Sequence, residues 1–326
     1  MKIVLVSESL APRTDETADT AQHLADGILA HGHELLVVAP GPGQARYRGA
    51  RVVRTRRLIT PHAVGSVLDG FDGDFVVAMS PALLGSTVLL QAGRRGLPTL
   101  AIDPPKVHVR AGRTLATSRE RRTQLAFAGV EAELWAPGVD SDDHHPGLRD
   151  ARLRTAWAKD NALVVGHAGE LDRQNVIDRL IRISWMEDVR LVVLGDGPGA
   201  LNLRAAGAKV TGPLHGLELA RGIASLDVLV QPRKKEQQVP AVRRALASGV
   251  PVVGFDAGGT RDAVVHEHNG LLAEPGRNRN LLEAVHALRD DDLRARLAGH
   301  ARDSVADRPW STAIADLLSR HLPALV

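Results

Sequence analysis

The chain has 326 residues, of which 44% are hydrophobic and 24% are charged, and its formal net charge is +3. This length is sufficient for two domains that each bury a core of their own. There is no cysteine, which excludes disulfide frameworks, thiolate metal sites and thiol nucleophiles. Aromatic residues make up only 3%, so the chain lacks the stacking side chains of single-strand binders, and we expect no nucleic-acid partner.

Apolar runs and basic clusters bear on where the protein works. Every apolar run is shorter than the roughly 18 residues that a membrane helix needs, so we expect no transmembrane segment. The opening MKIVLVSES begins a strand at once, which leaves no room for a signal peptide and predicts a cytoplasmic protein. Basic residues cluster at Arg110–Arg122, Arg233–Lys235 and Arg243–Arg244, and on one surface they would attract a phosphate-rich partner.

The first half alternates between strand and helix patterns. KIVLVSE predicts a buried strand, and the apolar spacing over Ala18–His31 predicts a helix that ends at Gly32. Another helix is predicted over Pro81–Gly93. Further strands are predicted at ELLVVAP, ARVVRTR, DFVVAMS, PTLAIDP and ELWAPGV. This alternation indicates a parallel sheet that is covered by helices on both faces.

The second half repeats the alternation. Its predicted strands are ALVVGHAG, VRLVVLGDGPG, AKVTGPL, LDVLVQP and VPVVGFDAGG. Its predicted helices are Val176–Arg182, VPAVRRALASG, Leu281–Val305 and WSTAIADLLSRHL. The polar segment GVDSDDHHPGLRD lies between the halves, so we place the domain boundary near Pro146–Trp157.

The predicted fold class is therefore α/β, with two Rossmann-like parallel-sheet domains facing a cleft. Open parallel sheets bind their ligands at the carboxyl ends of the strands. The first domain is predicted at 1–150 and the second at 151–308. The last helix, 309–326, is predicted to cross back to the first domain.

A series of motifs covers nearly the whole chain: DFVVAMSPALLGS, VVGHAGELDRQNVIDRLI, LGDGPG and ALASGVPVVGFDAGGTRDAV. Together and in this order they resemble the retaining glycosyltransferases of the GT-B fold, family 4. The resemblance is greatest to the actinobacterial GDP-mannose-dependent mannosyltransferases. It implies a GT-B architecture in which 1–150 is a shortened acceptor-side domain and 151–308 takes the nucleotide-sugar.

The resemblance also implies a donor site in the second domain. It assigns the sugar contact, and with it the catalytic position, to Glu236. It implies no metal and no cofactor besides a nucleotide-sugar donor. The donor-binding positions that it implies are Gly169, Arg173, Gly195, Asp196, Gly197, His215, Lys235, Arg244, Gly258, Gly259 and Thr260.

Several positions depart from the family's pattern. Glu16 stands about where a glycine of the first loop is expected, although Asp15 or Thr14 can cap the helix there. Glu170 and Asn175 replace the Arg and the Lys of the pyrophosphate clamp. Arg244 replaces a second glutamate that accepts hydrogen bonds from ribose, and a guanidinium group carries donors only. This last change argues against a standard nucleotide-sugar and weakly for a more phosphorylated ligand. The alternative is that Arg244 is an ordinary solvent-exposed arginine of a helix.

Two further departures concern the acceptor side. The family's active-site His or Asp is replaced by a segment that begins with Asp103, which we interpret as the start of a turn before two prolines. The following family segment of several tens of residues, which forms helices beside the acceptor site, has no counterpart in this sequence.

These departures lead to two main hypotheses. The first is a non-catalytic glycosyltransferase-like protein that binds a nucleotide or sugar ligand, or a protein partner such as an active glycosyltransferase. The alternative is an active retaining transferase that moves mannose or glucose from a nucleotide-sugar, using Glu236 and replacement cations such as Arg173, Lys235 or Arg244. A third reading, a sugar-nucleotide epimerase, needs positioned carboxylates and histidines that the sequence does not reveal. The oligomeric state stays open.

Overall fold

The structure, a computed structural model, describes residues 1–13, 15–55, 60–104, 111–158, 162–172, 174–234 and 239–325, with the side chain of Glu16 left out. The chain divides into two compact units. Unit 1 consists of Met1–Gly138 and Trp310–Val326, and unit 2 consists of Val139–Pro309. Along the described residues no helix is long and apolar enough to span a bilayer.

Unit 1 is built on a sheet whose strand order is β3-β4-β2-β1-β5-β6-β7-β8 within the described residues. All of its pairings are parallel except that of β3 with β4. Its elements are β1 (Lys2–Ser7), α1 (Glu16–Ala30), β2 (Glu34–Pro40), β3 (Arg46–Tyr47), β4 (Ala50–Thr55), α2 (Pro61–Phe71), β5 (Phe75–Met79), α3 (Leu83–Gly93), β6 (Thr99–Ile102), β7 (Arg113–Ala116), α4 (Arg119–Phe127) and β8 (Glu133–Leu134).

Unit 2 has a wholly parallel sheet in the order β11-β10-β9-β12-β13-β14 within the described residues. Its elements are α5 (Ala151–Trp157), β9 (Leu163–Ala168), α6 (Gln174–Ser184), β10 (Val189–Leu194), α7 (Ala200–Ala205), β11 (Lys209–Val210), α8 (Gly216–Ala224), β12 (Val228–Gln231), α9 (Pro240–Ala247), β13 (Val252–Phe255), α10 (Gly258–Ala263), β14 (Gly270–Ala273), α11 (Asn278–Ala287), α12 (Asp291–Ala301) and α13 (Asp303–Ala306).

The predicted class of two parallel-sheet α/β units is confirmed. The central strands are buried on both faces, and Ile3, Val4 and Leu5 of β1 have no exposed surface. This explains why they form continuous apolar runs rather than alternating ones. Helices cover the two faces, so that each sheet packs against a separate apolar cluster on either side.

A segment near the end of the chain completes unit 1. It consists of α14 (Trp310–Asp316), a π-helical turn at Leu317–His321 and a short 3-10 turn. Ile314 packs against α1 at Gly27, where a Cβ atom would lie only 2.1 Å from the Cδ1 atom of Ile314. Trp135, fully buried beside β8, donates a hydrogen bond of 2.9 Å to the carbonyl of Ala313. The segment is thus part of the core of unit 1.

The division between the units differs from the boundary predicted at 150/151. Residues 139–150 lie with unit 2 because they are anchored there. Val139 belongs to an apolar cluster of unit 2, and Arg149 donates to the carbonyl of Leu226 and to the carboxylate of Asp227, at 2.7 and 2.6 Å. The polar composition that indicated a linker therefore belongs to a segment that is hydrogen-bonded to unit 2.

Two predicted elements differ in extent. The helix predicted over Leu281–Val305 is three helices, because Asp290 caps α12 by accepting from the backbone N–H groups of Asp292 and Leu293. The strand predicted at ELWAPGV is limited to Glu133–Leu134. Asp15 is confirmed as the N-cap of α1, accepting from the N–H of Ala18 at 2.9 Å.

Candidate donor site of unit 2

Two glycine loops of unit 2 meet backbone to backbone at the carboxyl ends of β9 and β10. A Cβ atom on Gly195 would lie 2.1 Å from the carbonyl oxygen of Gly169, so no larger residue fits without a backbone shift. Gly197 has φ +147° and would place a Cβ atom 2.9 Å from the backbone of Leu171. The N–H of Leu171 donates to the carbonyl of Asp196 at 3.0 Å. The structure therefore brings Gly169, Gly195 and Gly197 together.

A guanidinium group fastens the first of these loops to the end of β12. Arg233 donates from Nη2 to the carbonyl of Glu170 at 2.6 Å and to the carboxylate of Asp172 at 2.7 Å. Its side chain is only 13% exposed. Sequence reasoning placed Arg233 in a basic cluster and missed this position, although the run Arg233–Lys235 directly after a predicted strand was a usable signal.

Two cations share the ring of Phe255, the last residue of β13. The guanidinium carbon of Arg179, on α6, lies 5.2 Å from the ring centroid, and the ammonium nitrogen of Lys234 lies 5.1 Å from it. Arg179 is buried and donates to the side-chain oxygen of Asn278 at 2.8 Å and to the carbonyl of Pro232 at 2.9 Å. Positive charge therefore accumulates at the carboxyl ends of β12 and β13.

A buried histidine lies beside this group. His167 of β9 is 2% exposed, and its Nδ1 atom is 3.2 Å from the carbonyl of Val230. That contact identifies Nδ1 as the protonated nitrogen, and Nε2 has no hydrogen-bond partner among the described residues. The pKa of His167 is lowered to about 4, chiefly by burial and also by the positive charge of Arg233, while the hydrogen bond to Val230 and the charge of Asp172 oppose the shift. At neutral pH His167 is an uncharged acceptor.

We expect this histidine to make unit 2 sensitive to acid. Once unfolded, His167 titrates near its ordinary pKa of 6.5, whereas in the folded state it takes up a proton only near 4. Between these values the unfolded state binds more protons, so the free energy of unfolding falls as the pH drops, by about 1.4 kcal/mol per pH unit. Urea unfolding across this range should show a smaller pH dependence for His167→Asn than for the wild type. The exposed His286→Asn is the control, and an equal slope in both variants would contradict the expectation.

The turn from β13 into α10 contains the last of the predicted site residues. Gly258 has φ +55°, and Gly258, Gly259 and Thr260 are all buried. The Cγ2 atom of Thr260 would lie 2.7 Å from a Cβ atom on Gly254, so the turn packs closely on the strand. The hydroxyl oxygen of Thr260 has no hydrogen-bond partner among the described residues.

Known proteins match this chain over most of its length. The family of glycosyl transferases group 1 matches residues 162–291. A GDP-mannose-dependent alpha-mannosyltransferase of Mycobacterium tuberculosis is 33% identical over 98% of this chain and 96% of its own. A protein of the same description from Mycolicibacterium smegmatis is 32% identical over 98% and 97%. The chain belongs to the group 1 glycosyltransferases.

Solved structures share the fold of this chain. HepE of Anabaena, solved in complex with UDP and glucose, has a TM-score of 0.81 at 19% identity, over 99% of this chain and 100% of that one. Sucrose-phosphate synthase of Thermosynechococcus elongatus has a TM-score of 0.82 at 17% identity, over the whole of both chains. At such identities the likeness shows the fold, and it confirms the predicted GT-B class.

Compared with its relatives this glycosyltransferase is short. Its alignment with the Mycobacterium tuberculosis protein runs over 365 positions, more than the 326 residues of the chain. The relative thus contains several tens of residues that have no counterpart here.

In unit 1, Asp103 does more than start a turn: it is buried and accepts from the backbone N–H of Thr117 at 2.8 Å.

The remaining predicted donor positions of this glycosyltransferase are more scattered. Asp196 accepts from the N–H of Gly197 at 2.9 Å, and His215 is exposed immediately before α8. Arg244 lies half-buried on the second turn of α9. Their contacts with a ligand stay predictions. Arg173, Lys235 and Glu236 lie outside the described residues, as does Thr14.

Proposed function

We propose that this protein is an active glycosyltransferase that moves mannose from GDP-mannose to an acceptor hydroxyl with retention of anomeric configuration. The observation that carries the proposal is the 33% identity to a GDP-mannose-dependent alpha-mannosyltransferase over nearly the full length of both chains. This full-length similarity supports the active alternative over the non-catalytic hypothesis.

The charge distribution of unit 2 gives the proposal its physical support. In the transfer, the bond between the anomeric carbon and the donor phosphate breaks, and the electron pair leaves with the nucleoside diphosphate. The acceptor oxygen bonds to the anomeric carbon and gives up its proton. Fixed cations lower the barrier by stabilising charge that develops on the leaving group. Arg233, Lys234 and Arg179 lie at the strand ends where open parallel sheets bind ligands.

A binding panel with a turnover assay tests the proposal. GDP, UDP, ADP and their hexose conjugates are titrated by calorimetry, and nucleotide release is followed with crude membrane lipid or soluble sugar as the acceptor. We expect micromolar binding of GDP and GDP-mannose, with release of GDP. No binding of any nucleotide at millimolar concentration would refute the proposal.

The non-catalytic reading remains a second candidate because of one observation. Glu170 and Asn175, at the places of the clamp cations, are both exposed. Glu170 therefore adds a negative charge beside Arg233, whose guanidinium group bonds its carbonyl. The carboxylate of Glu170 repels a diphosphate. Selection for donor binding is expected to remove such a carboxylate from this position.

A double substitution separates the two readings. In Glu170→Arg/Asn175→Lys one negative charge becomes two positive ones, and we expect GDP affinity to rise about 10- to 100-fold if the pocket is otherwise intact. Glu187→Arg/Asn202→Lys makes the same charge change at exposed positions elsewhere in unit 2 and controls for the overall charge. Unchanged GDP affinity in the first variant would favour the non-catalytic reading.

A further inference from the structure

Within the residues that the structure describes, neither of the two cations on Phe255 is hydrogen-bonded to a carboxylate. Within the described part of the chain Arg179 bonds only neutral acceptors, the side chain of Asn278 and the carbonyl of Pro232. Over the same residues Lys234 makes neither a hydrogen bond nor an ion pair, and its ammonium group contacts only the ring of Phe255. Charged side chains in low-dielectric surroundings are almost always paired.

This arrangement is unfavourable in the empty protein. Burial lowers the pKa of Arg179, and it also lowers that of Lys234, to which the charge of Arg179 contributes. An aromatic ring attracts a cation, but only by a modest amount compared with a paired anion. The protein therefore maintains two like charges in a place where either one alone would be more stable.

The main chain fixes where this charge lies. Phe255 is the last residue of β13, and Pro232 and Lys234 follow the end of β12. Arg233, between them, donates to the carboxylate of Asp172 at 2.7 Å, so that carboxylate is already bonded to another cation. The positive charge of Lys234 and Arg179 thus lies at the carboxyl edge of a parallel sheet, which is the edge at which such sheets bind ligands.

We infer that Lys234 and Arg179 form a phosphate-binding site, in which Lys234 donates to a phosphate oxygen and Arg179 is fixed beside it to strengthen the local positive potential. The site takes a phosphate group either as the diphosphate of a nucleotide donor, in which case it rests on the proposed function, or as free inorganic phosphate. The ring of Phe255 contacts both cations, with its centroid 5.2 Å from the guanidinium carbon of Arg179 and 5.1 Å from the ammonium nitrogen of Lys234.

The test compares two lysine variants of the whole protein. Lys234→Met keeps the length of the side chain and removes its charge, and Lys209→Met makes the same change at an exposed position of β11. GDP, guanosine and inorganic phosphate are titrated by calorimetry into each protein. We expect Lys234→Met to bind GDP about 10- to 100-fold more weakly than Lys209→Met and to bind guanosine equally.

Proton uptake provides a second readout that a merely structural lysine would not affect. A bound phosphate raises the lowered pKa of Lys234, so the wild type takes up protons on binding at alkaline pH, and Lys234→Met takes up fewer. Calorimetry in two buffers of different ionisation enthalpy measures this number.

The outcomes distinguish the site from the proposed function. Equal GDP affinity in Lys234→Met and Lys209→Met overturns the site and leaves the proposed function standing. If the wild type binds no nucleotide, the proposed function fails, and thermal melting in inorganic phosphate decides the site. A stabilisation that Lys234→Met lacks supports a site for free phosphate, whereas equal melting temperatures overturn it.

Discussion

Gly195→Ala will destabilise unit 2 by about 3 kcal/mol or more, the upper part of the range for overpacking. The added Cβ atom would lie 2.1 Å from the carbonyl oxygen of Gly169. Because this oxygen belongs to the backbone, it cannot move aside as the end of a flexible side chain can. The loops after β9 and β10 must therefore separate. In calorimetric melting we expect the transition of unit 2 to fall by about 6–12 °C.

The control for this prediction is the same substitution at an open site. Gly299 lies on the exposed face of α12, and a Cβ atom there meets no other atom within 4 Å. Gly299→Ala should therefore stabilise the protein by about 0.5–1 kcal/mol, because alanine loses less backbone entropy in a helix. A melting temperature of Gly195→Ala equal to that of the wild type would show that the two loops are not in backbone contact.

On the proposed function, Arg233→Ala will lower kcat/KM for GDP-mannose by about 10²- to 10³-fold, because it removes a fixed positive charge beside the donor site. The substitution removes a cation and also leaves the carboxylate of Asp172 without the partner that holds it at 2.7 Å. The pair thus goes from neutral to negative at the proposed place of the diphosphate. We expect Arg233→Lys to be more active than Arg233→Ala but less active than the wild type. Lysine restores the positive charge but lacks the planar guanidinium group that donates two hydrogen bonds in parallel.

A surface arginine serves as the control for Arg233. Arg279 of α11 is 88% exposed and pairs with Glu283 one turn away, so Arg279→Ala should change neither kcat/KM nor the melting temperature appreciably. Initial rates of GDP release and calorimetric GDP affinities are the measurements. Activity of Arg233→Ala within twofold of the Arg279→Ala value would exclude Arg233 from the donor site.

Much of the fold was predictable because the central strands are continuous apolar runs. KIVLVSE and ELLVVAP have that form since both faces of each sheet are covered. The strands Arg113–Ala116 and Gly270–Ala273 escaped prediction because they are four residues long and near the sheet edges. The helix ends within Leu281–Val305 escaped as well, because apolar spacing continues across a cap that one aspartate provides.

The candidate site was less predictable for a different reason. Its glycines could be named from local motifs, since a strand followed by a glycine turn has a recognisable pattern. The contact of Arg233 with Asp172 joins residues 61 positions apart, and no local pattern records it. Arg179 did leave a signal, because it is a charged residue among the buried positions of α6, beside Val176, Ile177, Leu180 and Ile183.

The return of Trp310–Leu325 into unit 1 has a consequence for how the protein is made. Unit 2 is one uninterrupted stretch, so it can fold as soon as residue 309 has left the ribosome. Unit 1 is begun first but must wait, with its α1 surface at Gly27 uncovered, until Ile314 and its neighbours have been translated. Synthesis from the amino end therefore completes the residues of unit 2 before those of unit 1, which is the reverse of the order in which the two units begin.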